Sequence, residues 1–383
     1  MLSSHIKITN FKEKYKSKKV KKILNEVLKD KNQIIESLGI NYKNKFVKKK
    51  FKNYKKFLNF RVIGMGGSSL GAHAIYDFLK HKIKKNFYFI DNLQTKKIKN
   101  KKKYVNIVVS KSGNTIETIT NSNILIKKKD ENIFITENKE NYLHLLARKL
   151  KSEIIHHNNF IGGRYSVLSE VGMLPAELMG LNSKKFKQLN MLIKNKNFFN
   201  SIVNDVSSTL FFIKKKKFNS IIINYDERSE NLFKWYQQLV AESLGKKKKG
   251  LLPIVSNMPK DNHSVMQLYL DGFQNNFFTF FYVNEVNTIK IKNNSILSSH
   301  SFLKDKDLAK IIYSQKRATE NVFKRKKIPF RSIEIKNRNE KTLGELFTYF
   351  VIETILIAKS LKINPYDQPA VELIKKETKK ILI

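Results

Sequence analysis

The sequence predicts an α/β protein built from two doubly wound parallel sheets, with helical N- and C-terminal extensions. Three features lead there. Short runs rich in β-branched and aromatic residues alternate with helix-like stretches, two of the runs end in glycine- and serine-rich loops, and the alternation resumes in the second half of the chain. The 383 residues are long enough for two domains with cores of their own. The expected division is a helical segment over 1–50, a first α/β domain over 51–190, a second over 191–340, and C-terminal helices over 341–383.

In chain order, the first set of strands is expected at Arg61 to Ile63, Phe87 to Ile90, Val105 to Val109 and Ile133 to Thr136, with a helix from Leu70 to Leu79 between the first two. The second set falls at Ser220 to Asn224, Leu251 to Val255, Phe277 to Val283 and Phe330 to Ile335. Leu232, Tyr236, Leu239 and Val240 mark one face of a helix, for which Gly245 is a natural stop. Thr342 to Leu361 is apolar on most sides and reads as a central helix. The last helix is expected to start near Pro369, a residue suited to a first turn.

The loops behind two of these strands carry the strongest chemical signal. Gly64-Met65-Gly66-Gly67-Ser68-Ser69-Leu70-Gly71 follows Val62-Ile63, and Ser110-Lys111-Ser112-Gly113-Asn114-Thr115 follows the run ending at Val109. Glycine permits positive φ and close approach, so amides can converge on an anion, and a helix N-terminus behind them adds partial positive charge. Open parallel sheets bind ligands at the carboxyl ends of their strands, which is where both loops fall. A phosphorylated small molecule is the expected ligand. Neither loop has Walker A or dinucleotide-fingerprint spacing, which points away from nucleotides.

Composition narrows the classes further. With no cysteine there is no disulfide, thiolate nucleophile or Cys-based metal site. Met1 to Lys22 lacks an apolar core of signal-peptide length, so a cytoplasmic location is expected. The most apolar stretch, Phe347 to Ala358, contains Glu353 and is shorter than a membrane span; it reads as a buried helix, and no membrane partner is expected. The formal charge of +43 resembles that of a nucleic-acid binder. Its lysines, however, are spread over nearly every segment, including the runs at 48–50, 101–103, 214–217 and 246–249, alongside abundant Asn and Ile. That pattern fits solvated lysine faces, and no specific nucleic-acid partner is expected.

Four further side chains are candidates for chemistry. Glu242 sits in the last turn of its helix, where the macrodipole disfavours a negative charge and so favours a carboxyl that takes up a proton. Lys246 to Lys249 act in the opposite sense, and a solvated helix-end carboxylate is the other reading. His263 follows Asp261-Asn262, good helix caps, and would be a neutral proton shuttle or a polar first-turn residue. Lys375 shares a face with Val371, Thr378 and Leu382, and would either polarise an oxygen or snorkel to water. Arg164 follows Gly162-Gly163, which would bring its guanidinium close to a ligand or leave it on a surface loop.

Taken together, these segments resemble the glucose-6-phosphate isomerase family. The resemblance runs from about Ile63 to Lys375. It rests on the two glycine loops, the second extended through Ile116-Glu117-Thr118, and on Gly162-Gly163-Arg164-Tyr165-Ser166. Ala241-Glu242-Ser243-Leu244-Gly245-Lys246, His263 with Gln267-Leu268-Tyr269-Leu270-Asp271-Gly272, and Tyr366-Asp367-Gln368-Pro369-Ala370-Val371-Glu372-Leu373-Ile374-Lys375 complete it. The resemblance implies two sugar-isomerase (SIS) lobes, a sugar-phosphate substrate, no cofactor or metal, a place in glycolysis and gluconeogenesis, and a homodimer whose partner supplies His263. It implies that Ser110, Lys111, Ser112 and Thr115 hold the phosphate with help from Gln368, and that Gly67 and Ser68 line the same pocket. Glu242 would move a proton between C2 and C1, Arg164 would stabilise the enediolate, His263 and Lys375 would open the sugar ring, and Glu117 would orient the cluster. Pro369-Ala370 departs from the aromatic-glycine or proline-glycine pair of many relatives, and the chain is shorter than most. A non-catalytic phosphosugar-binding regulator would need the phosphate loop but has no use for Glu242, Arg164 and Lys375 together.

Overall fold

Runs of Val, Ile and Phe that are apolar on both faces need cover on both faces, and parallel sheets flanked by helices provide it. The computed structural model describes residues 3–12, 17–93, 103–286 and 288–383; Lys101 and Lys102, two lysines of one of the runs noted above, lie outside the described residues. Ten strands are formed among the described residues: β1 (Ile6–Thr9), β2 (Asn59–Ile63), β3 (Asn86–Ile90), β4 (Val105–Val109), β5 (Glu131–Glu137), β6 (Glu153–His157), β7 (Asn219–Asn224), β8 (Leu252–Asn257), β9 (Asn276–Val283) and β10 (Phe330–Ile335). They make two five-stranded sheets, one in each of two compact units.

One unit comprises Lys19–Lys194, Asn231–Gly250 and Asn339–Ile383. Its sheet has the order β3-β2-β4-β5-β6 and is parallel throughout. Counted along the chain this is the 2-1-3-4-5 order of a doubly wound fold, with the topological switch between β2 and β4. Both glycine loops therefore leave the carboxyl ends of the two strands that flank the switch. Helix Glu340–Ser360 is buried from Thr342 through Ala358, Glu353 included. It packs aromatic faces on helix Glu230–Leu244, with Trp235 against Phe347 at 4.8 Å and Tyr236 against Phe350 at 4.8 Å between ring centroids.

The other unit comprises Met1–Lys18, Asn195–Glu230 and Leu251–Arg338. Its sheet runs β1-β10-β9-β7-β8, so its four parallel strands repeat the 2-1-3-4 order of the first unit. Ile221, Ile223, Phe278, Phe280 and Phe323 form its core.

Two expectations about domain layout differ from what is found. The 1–50 segment is not helical throughout: β1 pairs antiparallel with β10, Ile6 opposite Ile335. Ile6 and Ile8 alternate with Lys7 and Thr9, a period of two in which Ile6 is fully buried. Nor do the units follow the linear boundaries 51–190 and 191–340, because Asn231–Gly250 and Asn339–Ile383 join the first unit, where the apolar sides of helices Glu230–Leu244 and Glu340–Ser360 are covered. Strand β6 is not among the expected ones; only Ile154 and Ile155 are apolar in it, too short a run to stand out.

In the same unit as the first sheet, one buried lysine has no carboxylate against its nitrogen among the described residues. Lys187 is buried, its Nζ donating to the carbonyls of Ser37 (2.6 Å) and Leu168, and it lies 4.7 Å over the ring of Tyr42. Burial pushes its pKa down to about 7, with only the charge of Glu170 opposing. Because the unfolded lysine titrates near 10.5, the unfolded chain holds more protons between pH 7 and 10.5, so this group makes stability rise with pH across that window. Unfolding free energies from urea titrations of the wild type are expected to gain on those of Lys187→Met between pH 7 and 10, by on the order of 4 kcal/mol in total.

Candidate active site

The loop after β2 bends sharply because Gly66 adopts φ +52°. Gly64 presses on the end of β4, where an added Cβ would lie 2.9 Å from the carbonyl oxygen of Val109, so the two glycine loops touch at their roots. At Gly67 an added Cβ would run into the backbone of Gly163 and Arg164, and Ser166 Oγ donates to the carbonyls of Gly67 (3.3 Å) and Gly163 (2.7 Å). Loop 64–69 and the Gly163–Leu168 turn are thus stacked backbone on backbone, with Ser68 half-buried beside them. The neighbours at Gly67 are main chain and cannot rotate away. Gly67→Ala is expected to lower kcat/KM at least about 100-fold and to cost about 1–3 kcal/mol, read from steady-state rates and the urea midpoint.

The loop after β4 is closed by Ser110 Oγ on Thr115 Oγ1 at 2.9 Å, and Gly113 adopts φ +67°. Thr115 is the N-cap of helix Ile116–Leu125 but makes no side-chain capping bond. The first amides of that helix are left to an outside acceptor, which is what an anion would supply. Glu117 lies half-buried in the first turn and Ser112 is exposed at the loop tip. Lys111 Nζ donates to the carbonyl of Asn159 at 2.6 Å, and burial lowers its pKa.

Arg164 is the centre of the arrangement. Only 1% exposed, it places all five donors: Nε on Ser243 Oγ (2.9 Å), Nη1 on Glu242 Oε2 (3.2 Å) and Gln368 Oε1 (2.7 Å), and Nη2 on the carbonyls of Pro365 (2.5 Å) and Asp367 (3.1 Å). Trp235 Nε1 holds the Arg164 carbonyl at 3.0 Å, and Tyr165 Oη bonds to Ser243 Oγ (2.7 Å) and to the Pro365 carbonyl (3.0 Å). Glu242 keeps its second oxygen on Gln238 Nε2 at 2.9 Å. Gln238 in turn lies against Gly66, where an added Cβ would be 2.7 Å from Nε2. A single side chain therefore links the candidate base to the first glycine loop. Beside Glu242 opens a cavity of about 790 Å³, lined also by Lys246, Asn364, Asp367, Gln368 and Pro369. Lys246 Nζ donates to the carbonyls of Glu242 (2.9 Å) and Asp367 (2.6 Å), and burial lowers its pKa against the pull of Asp367.

The structure thus joins Gly67, Arg164, Glu242 and Gln368 in one constellation; Ser68 follows the same strand as Gly67, whereas Ser110, Lys111, Ser112, Thr115 and Glu117 lie on the loop and helix after the neighbouring β4. Lys375 is not brought into it. On helix Val371–Leu382, which is exposed along its length, its Nζ pairs with Glu372 Oε1 at 2.6 Å. His263 belongs to the other unit, exposed at the end of the turn Lys260–His263. Asp261 does not cap the helix after it as expected: its Oδ2 accepts from Asn257 N at 2.7 Å, and helix Met266–Asp271 starts later without a side-chain cap. Gln238 joins the site without having stood out in the sequence, as do Ser243 and Tyr165 in roles that the motifs containing them did not suggest. Gln238 was open to detection, since it precedes Glu242 by one turn of the same helix face. Among the described residues no three His, Cys, Asp or Glu side chains cluster as metal ligands, and no helix is long and apolar enough to cross a membrane.

The chain is similar to known proteins in both sequence and fold. A family model described as phosphoglucose isomerase matches residues 5–383. The glucose-6-phosphate isomerase of Methanocaldococcus jannaschii is 33% identical over 353 residues, covering 85% of this chain and 85% of the relative. That of Campylobacter jejuni is 29% identical over 355 residues, covering 86% of each. In fold, a hypothetical protein from Thermus thermophilus superposes with a TM-score of 0.82 at 21% identity, over 95% of this chain and 94% of that one. A glucose-6-phosphate isomerase from Chlamydia trachomatis gives a TM-score of 0.67 at 16% identity, over 97% and 80%. With the family match spanning nearly its whole length, and its first glycine loop stacked on the turn of a buried arginine that pairs with Glu242, this chain belongs to the phosphoglucose isomerase family of enzymes.

Proposed function

We propose that the chain interconverts glucose 6-phosphate and fructose 6-phosphate by carrying one proton between C2 and C1 through a cis-enediolate. The observation that supports this reading most is the contact of the Glu242 carboxylate with a guanidinium that is itself fully buried and saturated with acceptors. A proton α to a carbonyl is weakly acidic, and the charge left on its removal needs a fixed cation rather than a proton donor. Arginine meets that need because it cannot be deprotonated here. Glu242 removes the C2 proton and returns it to C1, so the same carboxylate serves as base and then acid, with no change in overall oxidation level. Gln238 holds the carboxylate oxygen that Arg164 does not.

In this reading loop 110–115 binds the phosphate through its amides, the Ser110, Ser112 and Thr115 hydroxyls, and Lys111, which exchanges the Asn159 carbonyl for the anion. Glu117 orients that charged cluster and Gln368 steadies Arg164 while reaching the substrate. Ring opening is assigned to His263 and Lys375. The chain would act as a cytoplasmic homodimer, with His263 supplied by a second copy. The test supplies fructose 6-phosphate and detects glucose 6-phosphate through a NADP-linked dehydrogenase. Turnover is expected; binding of sugar phosphate without turnover in the folded wild type would instead favour a phosphosugar sensor.

A further inference from the structure

We infer that Asn141 is a positioning residue for the phosphate loop, governing how tightly the chain holds a sugar phosphate more than how fast it converts it. This rests on the reading of loop 110–115 as the phosphate site. Asn141 is buried at the N-cap of helix Tyr142–Lys149, where its Oδ1 accepts from His144 N at 3.0 Å. Its amide also fills the space in which a Cβ of Gly113 would stand, so the residue at the loop's left-handed turn can carry no side chain. Its Nδ2 donates to Thr136 Oγ1 at 3.0 Å and to the Lys139 carbonyl at 2.9 Å. Thr136 Oγ1 passes the connection on, donating to the carbonyl of Lys111 at 3.2 Å.

The helix that Asn141 caps is spent on the loop. Tyr142 N donates to Asn114 Oδ1 at 3.1 Å and Leu143 N to the Gly113 carbonyl at 3.2 Å. Two helix N-termini therefore meet loop 110–115 in different roles. The amides of helix Tyr142–Lys149 clamp its back, while helix Ile116–Leu125 has no side-chain cap and keeps its amides for a ligand. Asn141 stands where the clamp is made. Its side chain reaches the Lys111 carbonyl through Thr136 and caps the helix whose Leu143 N–H holds the Gly113 carbonyl, so both ends of the turn, and with them the direction of the amides between, depend on it. An asparagine suits the position because it must accept once and donate twice, which neither aspartate nor serine does.

Asn141→Ser keeps a good N-cap and loses the bridge to Thr136, whereas Thr136→Val removes the other end of the bridge with little change of shape. For both variants the KM for fructose 6-phosphate and the inhibition constant of inorganic phosphate are expected to rise together by about tenfold, with a smaller fall in kcat. Thermal midpoints should stay near that of the wild type. Wild-type KM and phosphate inhibition in both variants, or a loss confined to kcat, would overturn the inference. Ser110→Ala separates it from the reading beneath it. If Ser110→Ala weakens phosphate and the two bridge variants do not, Asn141 has no positioning role; if Ser110→Ala also leaves phosphate inhibition unchanged, loop 110–115 is not the phosphate site and both readings fall.

Discussion

Glu242→Gln is expected to lower kcat by at least about 1,000-fold while sugar-phosphate affinity changes only a few-fold. The substitution keeps shape and one acceptor. A glutamine oxygen can still receive Arg164 Nη1, which now sits 3.2 Å from Glu242 Oε2. Its amide nitrogen would face Gln238 Nε2, at present 2.9 Å from Oε1, but Gln238 can turn its own amide to offer Oε1, a buried oxygen with no partner in the wild-type structure. The fold is therefore preserved and the proton carrier is gone. The coupled assay measures the rate, calorimetry with fructose 6-phosphate the affinity. Exchange of the C1 and C2 hydrogens in heavy water, expected of the wild type, should vanish with turnover. A variant with wild-type rate and exchange would remove Glu242 as the base.

Arg164→Lys should cost nearly as much for a different reason. The charge is kept, but an ammonium has three donors and no plane, whereas the native guanidinium serves five acceptors on five different residues. Two or more of the oxygens of Ser243, Glu242, Gln368, Pro365 and Asp367 would lose their donor, and those of Ser243 and Pro365 sit in buried hydrogen bonds. The expected result is a fall in kcat of about 100- to 1,000-fold, because the fixed cation beside the developing enediolate charge is displaced. A loss of about 2–4 kcal/mol in stability should accompany it, from broken buried hydrogen bonds. The kinetic split is informative. A KM that rises with kcat unchanged would mean that Arg164 holds the ground-state sugar and not the enediolate.

Strands and loops were the most legible features because each depends on short-range chemistry. Runs such as Val105-Asn106-Ile107-Val108-Val109 suit only a strand covered on both sides, and glycines at 64, 66, 67 and 113 mark turns whatever surrounds them. The helix of Glu242 was legible from its apolar face and from Gly245 behind it. Less legible were elements stabilised mainly by a distant partner. β1 has four residues and holds its place only through β10, more than three hundred positions later. Nothing near Tyr165 announces that its hydroxyl will share Ser243 with Arg164. The +43 charge misled least once its spread was considered, because lysines such as those at 247–249 lie exposed.

By itself, then, the order of residues determined the α/β class, the two glycine-rich loops at the ends of strands, and the types of titratable group available near them, since these follow from periodicity, glycine content and side-chain acidity. Only the tertiary structure decided that β2 and β4 are neighbours across the switch point, that Arg164 is buried with every donor filled, and that Gln238 bridges Glu242 to Gly66. Those facts depend on which segments, far apart in the chain, are packed together, and packing is settled by apolar surfaces seeking cover over the whole unit rather than by any local run of residues.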